Sequence, residues 1–232
     1  MTLSDAEWNA LGLSLKASTW ATFVALPLAI WIAWLLARKS FWGKDVLNAA
    51  VHLPLVLPPV VTGYLLLIGF GRNGPIGSLL FDWFGITLAF RWTGAALAAG
   101  IMGFPLMVRA IRLAIEAVDP KLEEAAATLG APGYAVFGRV TLPLILPGVL
   151  AGTVMGFAKA MGEFGATITF VANIPGQTQT LPSAIYSFLQ IPGGESSALR
   201  LVILAMIVAL GAVVLSEWLA RKVARRIAGH NA

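Results

Sequence analysis

The chain has 232 residues, 58% of them hydrophobic and only 12% charged, with a mean hydropathy of +0.83. Several stretches exceed the roughly 18–20 apolar residues that cross a bilayer and offer few polar positions to water, so the expected fold class is an all-α polytopic membrane protein, a single transmembrane domain over residues 1–232. Absence of cysteine excludes disulfides and thiolate metal sites, and the net charge of +5 does not point to nucleic acid, because the basic residues sit at the ends of the apolar stretches.

In chain order, the first ten residues carry Asp5 and Glu7 but no Lys or Arg, so no cleaved signal peptide is expected. Five spans are predicted: Leu11–Ala37, Val46–Phe70, Leu88–Val108, Leu142–Val171 and Leu199–Leu219. Arg38, Lys39 and Lys44, then Arg109, Arg112, Lys121 and Arg139, then Arg221, Lys222, Arg225 and Arg226 fall on one side. Lys16, Arg72, Arg91 and Arg200 fall on or near the other. The positive-inside rule then places the N-terminus outside and the C-terminus in the cytoplasm.

Leu53-Pro-Leu-Val-Leu-Pro58 and Leu142-Pro-Leu-Ile-Leu-Pro147 are near-copies at the inner entrance of the second and fourth spans. Pro54, Pro58, Pro59 and Pro147 each remove a helical hydrogen bond and are expected to kink their helices, unless the likeness is chance in a leucine-rich chain. Gly71–Ile86 mixes turn residues with aromatics, and Trp83, Phe84 and Trp92 suit an interfacial belt. With Asn173–Ser197, which has no Lys or Arg and includes a candidate short helix Leu181–Leu189, it is either a solvated connection or a docking surface on the outer face.

Between the third and fourth spans lies a charged, alanine-rich island, Asp119–Val140. Asp119-Pro120 reads as an N-cap with proline at the first helical position, Glu123 and Glu124 suit the dipole, and Gly130 ends the helix. Leu122, Ala125, Ala126 and Leu129 form an apolar stripe too short for a core. A short cytoplasmic helix with a docking face between two spans suggests mechanical coupling to another chain.

The fourth span is rich in small residues: Gly152, Gly156, Gly162 and Gly165, with Ala151, Ala158, Ala160 and Ala166. They suit close helix packing, partly against a second copy of the chain. Lys159 and Glu163 lie four apart in the same span. Either they neutralise each other, or Lys159 faces an anion path with Glu163 and Phe164 at a gate and the Thr167 and Thr169 hydroxyls as donors. His52 has no second histidine near it, and His230 lies in the tail, so no ligand set or catalytic set is assigned. No Gly-x-x-x-x-Gly-Lys-Ser/Thr loop is present, so ATP hydrolysis would belong to another chain.

Glu124-Ala125-Ala126, three residues, Gly130, nine residues and Val140-x-Leu142-Pro143 resemble the EAA signature of permease subunits of bacterial ABC importers, with valine for the usual isoleucine. The resemblance implies that Glu124, Ala125, Ala126 and Gly130 dock into an ATP-binding subunit, Gly130 permitting the turn and Leu142-Pro143 leading into the fourth span. His52–Val61, Phe104–Arg112, Gly162–Phe170 and Ile191–Glu195 further resemble the molybdate permeases of the molybdate, tungstate and sulfate branch. Glu163-Phe-Gly-Ala166 is shared with sulfate permeases, and larger relatives carry an additional N-terminal span. What this resemblance implies is a type I ABC importer permease fold, homodimeric in a bacterial inner membrane, with two ATP-binding subunits and a periplasmic or extracellular molybdate-binding protein. ATP and Mg would bind the partner subunit, no cofactor would bind this chain, and molybdate would be the cargo. Sulfate or thiosulfate import, or a self-sufficient channel or secondary transporter, are the alternatives.

Overall fold

The structure, a computed structural model, describes residues 3–228, with side chains described to 222; His230 lies outside the described residues, and the side chains of Arg225 and Arg226 do too. Among the described residues the chain is helical with no strand. Four helices are long and apolar enough to cross a membrane: α1 (Asp5–Arg38), α5 (Trp92–Glu116), the continuous stretch Gly133–Met161, and α11 (Glu195–Ala228) over Glu195–Lys222. A broken pair, α2 (Lys44–Val56) and α3 (Pro59–Phe70), makes a fifth if counted as one span.

That pair departs from the expected continuous span Val46–Phe70. The two helices meet at 113°. Proline disfavours helical geometry in the residue before it, and two prolines follow Leu57 directly. Leu57 (ψ 143°) and Pro58 (ψ 134°) are accordingly both extended, and Pro59 opens α3 at a position that needs no N–H donor. Pro54 lies within α2, and Pro147 within the helix Leu142–Met161.

The expected fourth span Leu142–Val171 is broken as well. Gly133–Met161 comprises α7 (Gly133–Val136), a π turn (Phe137–Thr141) and α8 (Leu142–Met161), and after Gly162–Phe164 a separate α9 (Gly165–Val171) begins. The expected connection Gly71–Ile86 contains a helix, α4 (Pro75–Phe84), stopped by Gly85 at φ +65°. α6 (Pro120–Thr128) and α10 (Leu181–Leu189) complete the fold.

α5 is the central helix, packed on α1 and α8. Its crossing with α8 is close because a Cβ on Gly103 would come within 2.8 Å of the Gly156 carbonyl, and one on Gly156 would enter the Met107 side chain. The small residues Gly152 and Gly156, considered above for contact with a second copy, are thus buried inside this chain. α3 packs on α9 by the same device: a Cβ on Gly63 would come within 2.5 Å of the Ala166 carbonyl.

The core falls into two main bodies along the bundle. One joins Ile32 and Leu36 of α1 with Met107, Ile111 and Ile115 of α5 and Ile145 and Val149 of α8. The other joins Ala17, Leu66, Ala95, Ala98, Met102 and Phe170. By contrast α11 is the most apolar span and the least buried, and Val60, Val61, Tyr64, Leu65 and Ile68 of α3 are exposed. A soluble chain would not leave such continuous apolar faces uncovered.

Candidate functional site

At one end of the bundle α6 is held against the membrane helices by Glu123. Its Oε2 lies 2.9 Å from Arg38 Nε at the end of α1, and its Oε1 accepts from the Thr141 hydroxyl at 2.6 Å, in the last position before α8. Arg38 also donates through Nη2 to the Val118 carbonyl at 2.9 Å. With the Glu123 side chain 19% exposed and Arg38 15% exposed, this is a half-dry junction of three helices. The Thr141 hydrogen bond to the charged carboxylate is strengthened in such surroundings, and Arg38 adds an ion pair rather than a second aligned bond.

The rest of α6 faces outward. The Asp119 carboxylate accepts from Lys121 N at 3.0 Å, capping the N-terminus. At the other end Gly130 N donates to Ala127 O (2.9 Å) and Ala131 N to Ala126 O (3.2 Å), with Gly130 at φ +86°. This is the Schellman closure, which strongly favours glycine at that position. Glu124, Ala125 and Gly130 are exposed and Ala126 is half-buried. Leu129 (89% exposed) and Tyr134 (82%) stand beside them, with Leu122 half exposed. Pro143 lies in the first turn of α8 beside Leu142, directly after the π turn. The site is therefore a capped helix with an apolar, uncovered outer face and an anchored inner face.

Sequence reasoning selected Glu124 and passed over Glu123. The two adjacent carboxylates look alike in the sequence, and nothing there says that Arg38 and Thr141, eighty-five residues before and eighteen after, meet one of them.

The intramembrane charges form a second unit near the break between α8 and α9. Lys159 Nζ donates to Glu163 Oε2 at 2.8 Å, and Ala166 N donates to Glu163 Oε1 at 2.9 Å. Glu163, 2% exposed, thus neutralises Lys159 and caps the first turn of α9. The Thr167 hydroxyl donates to the carbonyls of Phe164 (2.9 Å) and Glu163 (3.2 Å), and that of Thr169 to Gly165 (2.9 Å). In this structure both hydroxyl protons are directed to carbonyls inside the helix. Phe164 packs at 5.3 Å between ring centroids on Tyr186 of α10, which ties the break to the connection Asn173–Ser197.

That connection is itself fixed to the bundle at the end opposite α6. The Ser14 hydroxyl accepts from Leu181 N at 2.6 Å, and buried Glu7 pairs with Arg200 at 2.9 Å. Among the described residues no cluster of His, Asp or Glu is arranged to hold a metal ion. His52 Nδ1 is bonded to the Asn48 carbonyl at 2.8 Å.

Spans broken by proline and glycine, with a short anchored helix exposed between two of them, define a polytopic α-helical membrane protein. The chain belongs to the family of binding-protein-dependent transport system inner membrane components, whose pattern matches residues 25–229. It is 60% identical over 229 residues to the molybdenum transport system permease protein ModB of Escherichia coli (strain K12), covering 99% of this chain and 100% of that one. The protein of the same name from Haemophilus influenzae is 55% identical over 225 residues, 97% of this chain and 98% of the other. Among solved structures, a bacterial ABC transporter involved in the import of the acidic polysaccharide alginate superimposes with a TM-score of 0.73 at 19% identity, over 94% of this chain and 80% of that one. An amino acid ABC transporter solved with histidines gives 0.66 at 20% identity, over 96% and 100%. At such identities these two likenesses speak for the fold alone.

Proposed function

We propose that this chain is the membrane-spanning permease subunit of an ATP-driven importer that carries molybdate across a bacterial cytoplasmic membrane. The observation that carries the reading is the identity of 60% and 55% to two molybdenum permeases across nearly their whole lengths. The architecture is read as a type I importer permease with its N-terminus outside and its C-terminus in the cytoplasm, which puts α6 on the cytoplasmic side.

In this reading two copies of the chain form the path, and each exposes Glu124, Ala125, Ala126 and Gly130 to one ATP-binding subunit that holds ATP and Mg. Closure of the two ATP-binding subunits moves both α6 helices. Each helix pulls on α1 through Glu123–Arg38 and on α8 through Glu123–Thr141, so displacement reaches two spans at once. An external molybdate-binding protein docks over α4 and α10. The gate is assigned to the α8–α9 break around Glu163 and Phe164, and the α2–α3 break at Pro58-Pro59 lets the second span bend with it. Lys159 contributes by holding the Glu163 carboxylate neutralised, since an unpaired carboxylate in the path would repel a doubly negative oxyanion.

The test is copurification with its ATP-binding subunit, reconstitution with the binding protein, and ATPase assays with molybdate, tungstate and sulfate. Stimulation by molybdate is expected. Stimulation by sulfate alone would move the assignment to a sulfate permease, and uptake without any ATP-binding subunit would replace the importer by a channel or secondary carrier.

A further inference from the structure

A second polar feature lies at the α6 end of the bundle, outside the junction and the gate. A cavity of about 290 Å³ opens between α2 and α5, lined by Asn48, His52, Arg109, Arg112, Leu113 and Glu116. It is markedly more polar than the apolar cleft between α1, α2 and α5 beside it. Two guanidinium groups three residues apart on one helix repel each other, and among the described residues only one of them is partnered. Arg112 donates through Nε to Glu116 at 2.7 Å and through Nη1 to Asn48 Oδ1 at 3.1 Å. Arg109 makes no hydrogen bond or ion pair among the described residues, although it lines the same cavity.

Neither arginine lies in the last turn of α5, so the helix dipole offers them little. What calls for an account is a pocket in which one guanidinium is oriented by two neighbours and the other makes no hydrogen bond or ion pair among the described residues. A planar fork of N–H donors matches the geometry of a tetrahedral oxyanion, and two such forks from one helix face can share one anion and relieve their own repulsion. The imidazole of His52 is oriented by its bond to the Asn48 carbonyl, and Asn48 itself is held by Arg112. Glu116 is the one acid in the pocket, and it competes for Arg112.

We infer that this pocket binds a tetrahedral oxyanion between Arg109 and Arg112. Two sources offer that chemistry: the dissolved anion on its way off the protein, and the phosphate of an anionic lipid at the membrane edge. Only the first rests on the transport reading above. The pocket begins in the same last turns of α5 from which the chain passes through Val118 into α6, so its occupant would sit beside the coupling junction.

The experiment uses the full complex of permease and ATP-binding subunits, without binding protein, in nanodiscs. Labelled molybdate binding is measured in phosphatidylcholine discs by equilibrium dialysis, and retention of phosphatidylglycerol from mixed discs is measured by native mass spectrometry. Arg109→Gln is expected to weaken one of the two by about tenfold or more, Arg109→Lys to recover part of it, and Glu116→Gln to strengthen it by freeing Arg112. Because Arg109 is exposed and unpartnered, its loss should leave the melting temperature of the complex unchanged. Weakened molybdate binding assigns the site to the dissolved anion, and weakened phosphatidylglycerol retention assigns it to the lipid. If Arg109→Gln and Glu116→Gln leave both at wild-type values, the inference is overturned. The transport reading is judged separately, by whether molybdate with binding protein stimulates the wild-type ATPase.

Discussion

Replacing Glu123 by alanine should detach α6 from the membrane helices while leaving those helices folded. The substitution removes the Arg38 pair at 2.9 Å and the Thr141 bond at 2.6 Å. The Thr141 hydrogen bond to the charged carboxylate contributes about 1.5–3 kcal/mol when well sheltered, and the Arg38 contact adds an ion pair whose Nε–H is not aligned as a hydrogen bond. Here both side chains of the ion pair keep some exposure, 15% and 19%, and Arg38 retains the Val118 carbonyl, so the sum is discounted for screening. A net loss of about 2 kcal/mol corresponds to roughly a thirtyfold larger population with α6 undocked. A nine-residue helix with no buried residue has little stability of its own, so undocking should melt it. Hydrogen exchange in the purified complex is the assay: amides of residues 124–128 should exchange faster by about that factor, while those of α5 do not change. Molybdate-stimulated ATP hydrolysis should become uncoupled from uptake in the same variant. Glu123→Gln, which keeps a bond to Thr141 but no charge, should fall between. Wild-type exchange over residues 124–128 in Glu123→Ala would refute the mooring role, and a comparable effect of Glu124→Ala on exchange would show that the two carboxylates had been assigned the wrong way round.

Further outcomes follow from three other places in the fold. Gly130→Ala should destabilise the α6 closure by about 1–2 kcal/mol through backbone strain alone, since its φ is +86° and nothing lies near an added Cβ; Gly130→Trp should carry the same strain as Gly130→Ala and in addition abolish copurification of the ATP-binding subunit. Glu163→Gln leaves Lys159 unpaired beside a buried site and should lower the melting temperature in detergent. Breaking such a pair costs about 3–5 kcal/mol when fully buried, and less here because Lys159 is partly exposed. Lys159→Met combined with Glu163→Gln should recover most of that stability, and if the double variant also imports molybdate, Lys159 is not an obligatory contact for the anion. Gly103→Ala should lower stability by about 1–3 kcal/mol, because its Cβ would press the Gly156 carbonyl at the α5–α8 crossing; an unchanged melting temperature would mean that the crossing is looser than the structure has it.

Much of the helical layout is present in local chemistry. Leu11–Ala37 can hardly be anything but a helix in a bilayer, and Asp119-Pro120 with Gly130 set the two ends of α6 through capping and φ preferences that act over a few residues. Other features were marked in the sequence but not measured there. Pro58-Pro59 announces an interruption, yet only the packing of α3 on α9 fixes it at 113° rather than as a mild kink. Gly162–Phe164 reads as the interior of one continuous fourth span until the Glu163 carboxylate is seen accepting from Ala166 N in the first turn of α9.

What the sequence by itself determined is therefore the all-helical membrane class, the presence of several long apolar segments, and the two ends of α6. Each depends on neighbours within about one or two turns. What only the tertiary structure decided is which of two adjacent glutamates anchors α6, where the threonine protons go, which glycines serve the α5–α8 crossing, and that Arg109 and Arg112 share a cavity with Asn48. Those depend on residues far apart in the chain, where hydrogen-bond geometry discriminates at the scale of tenths of an ångström and sequence spacing carries no such information.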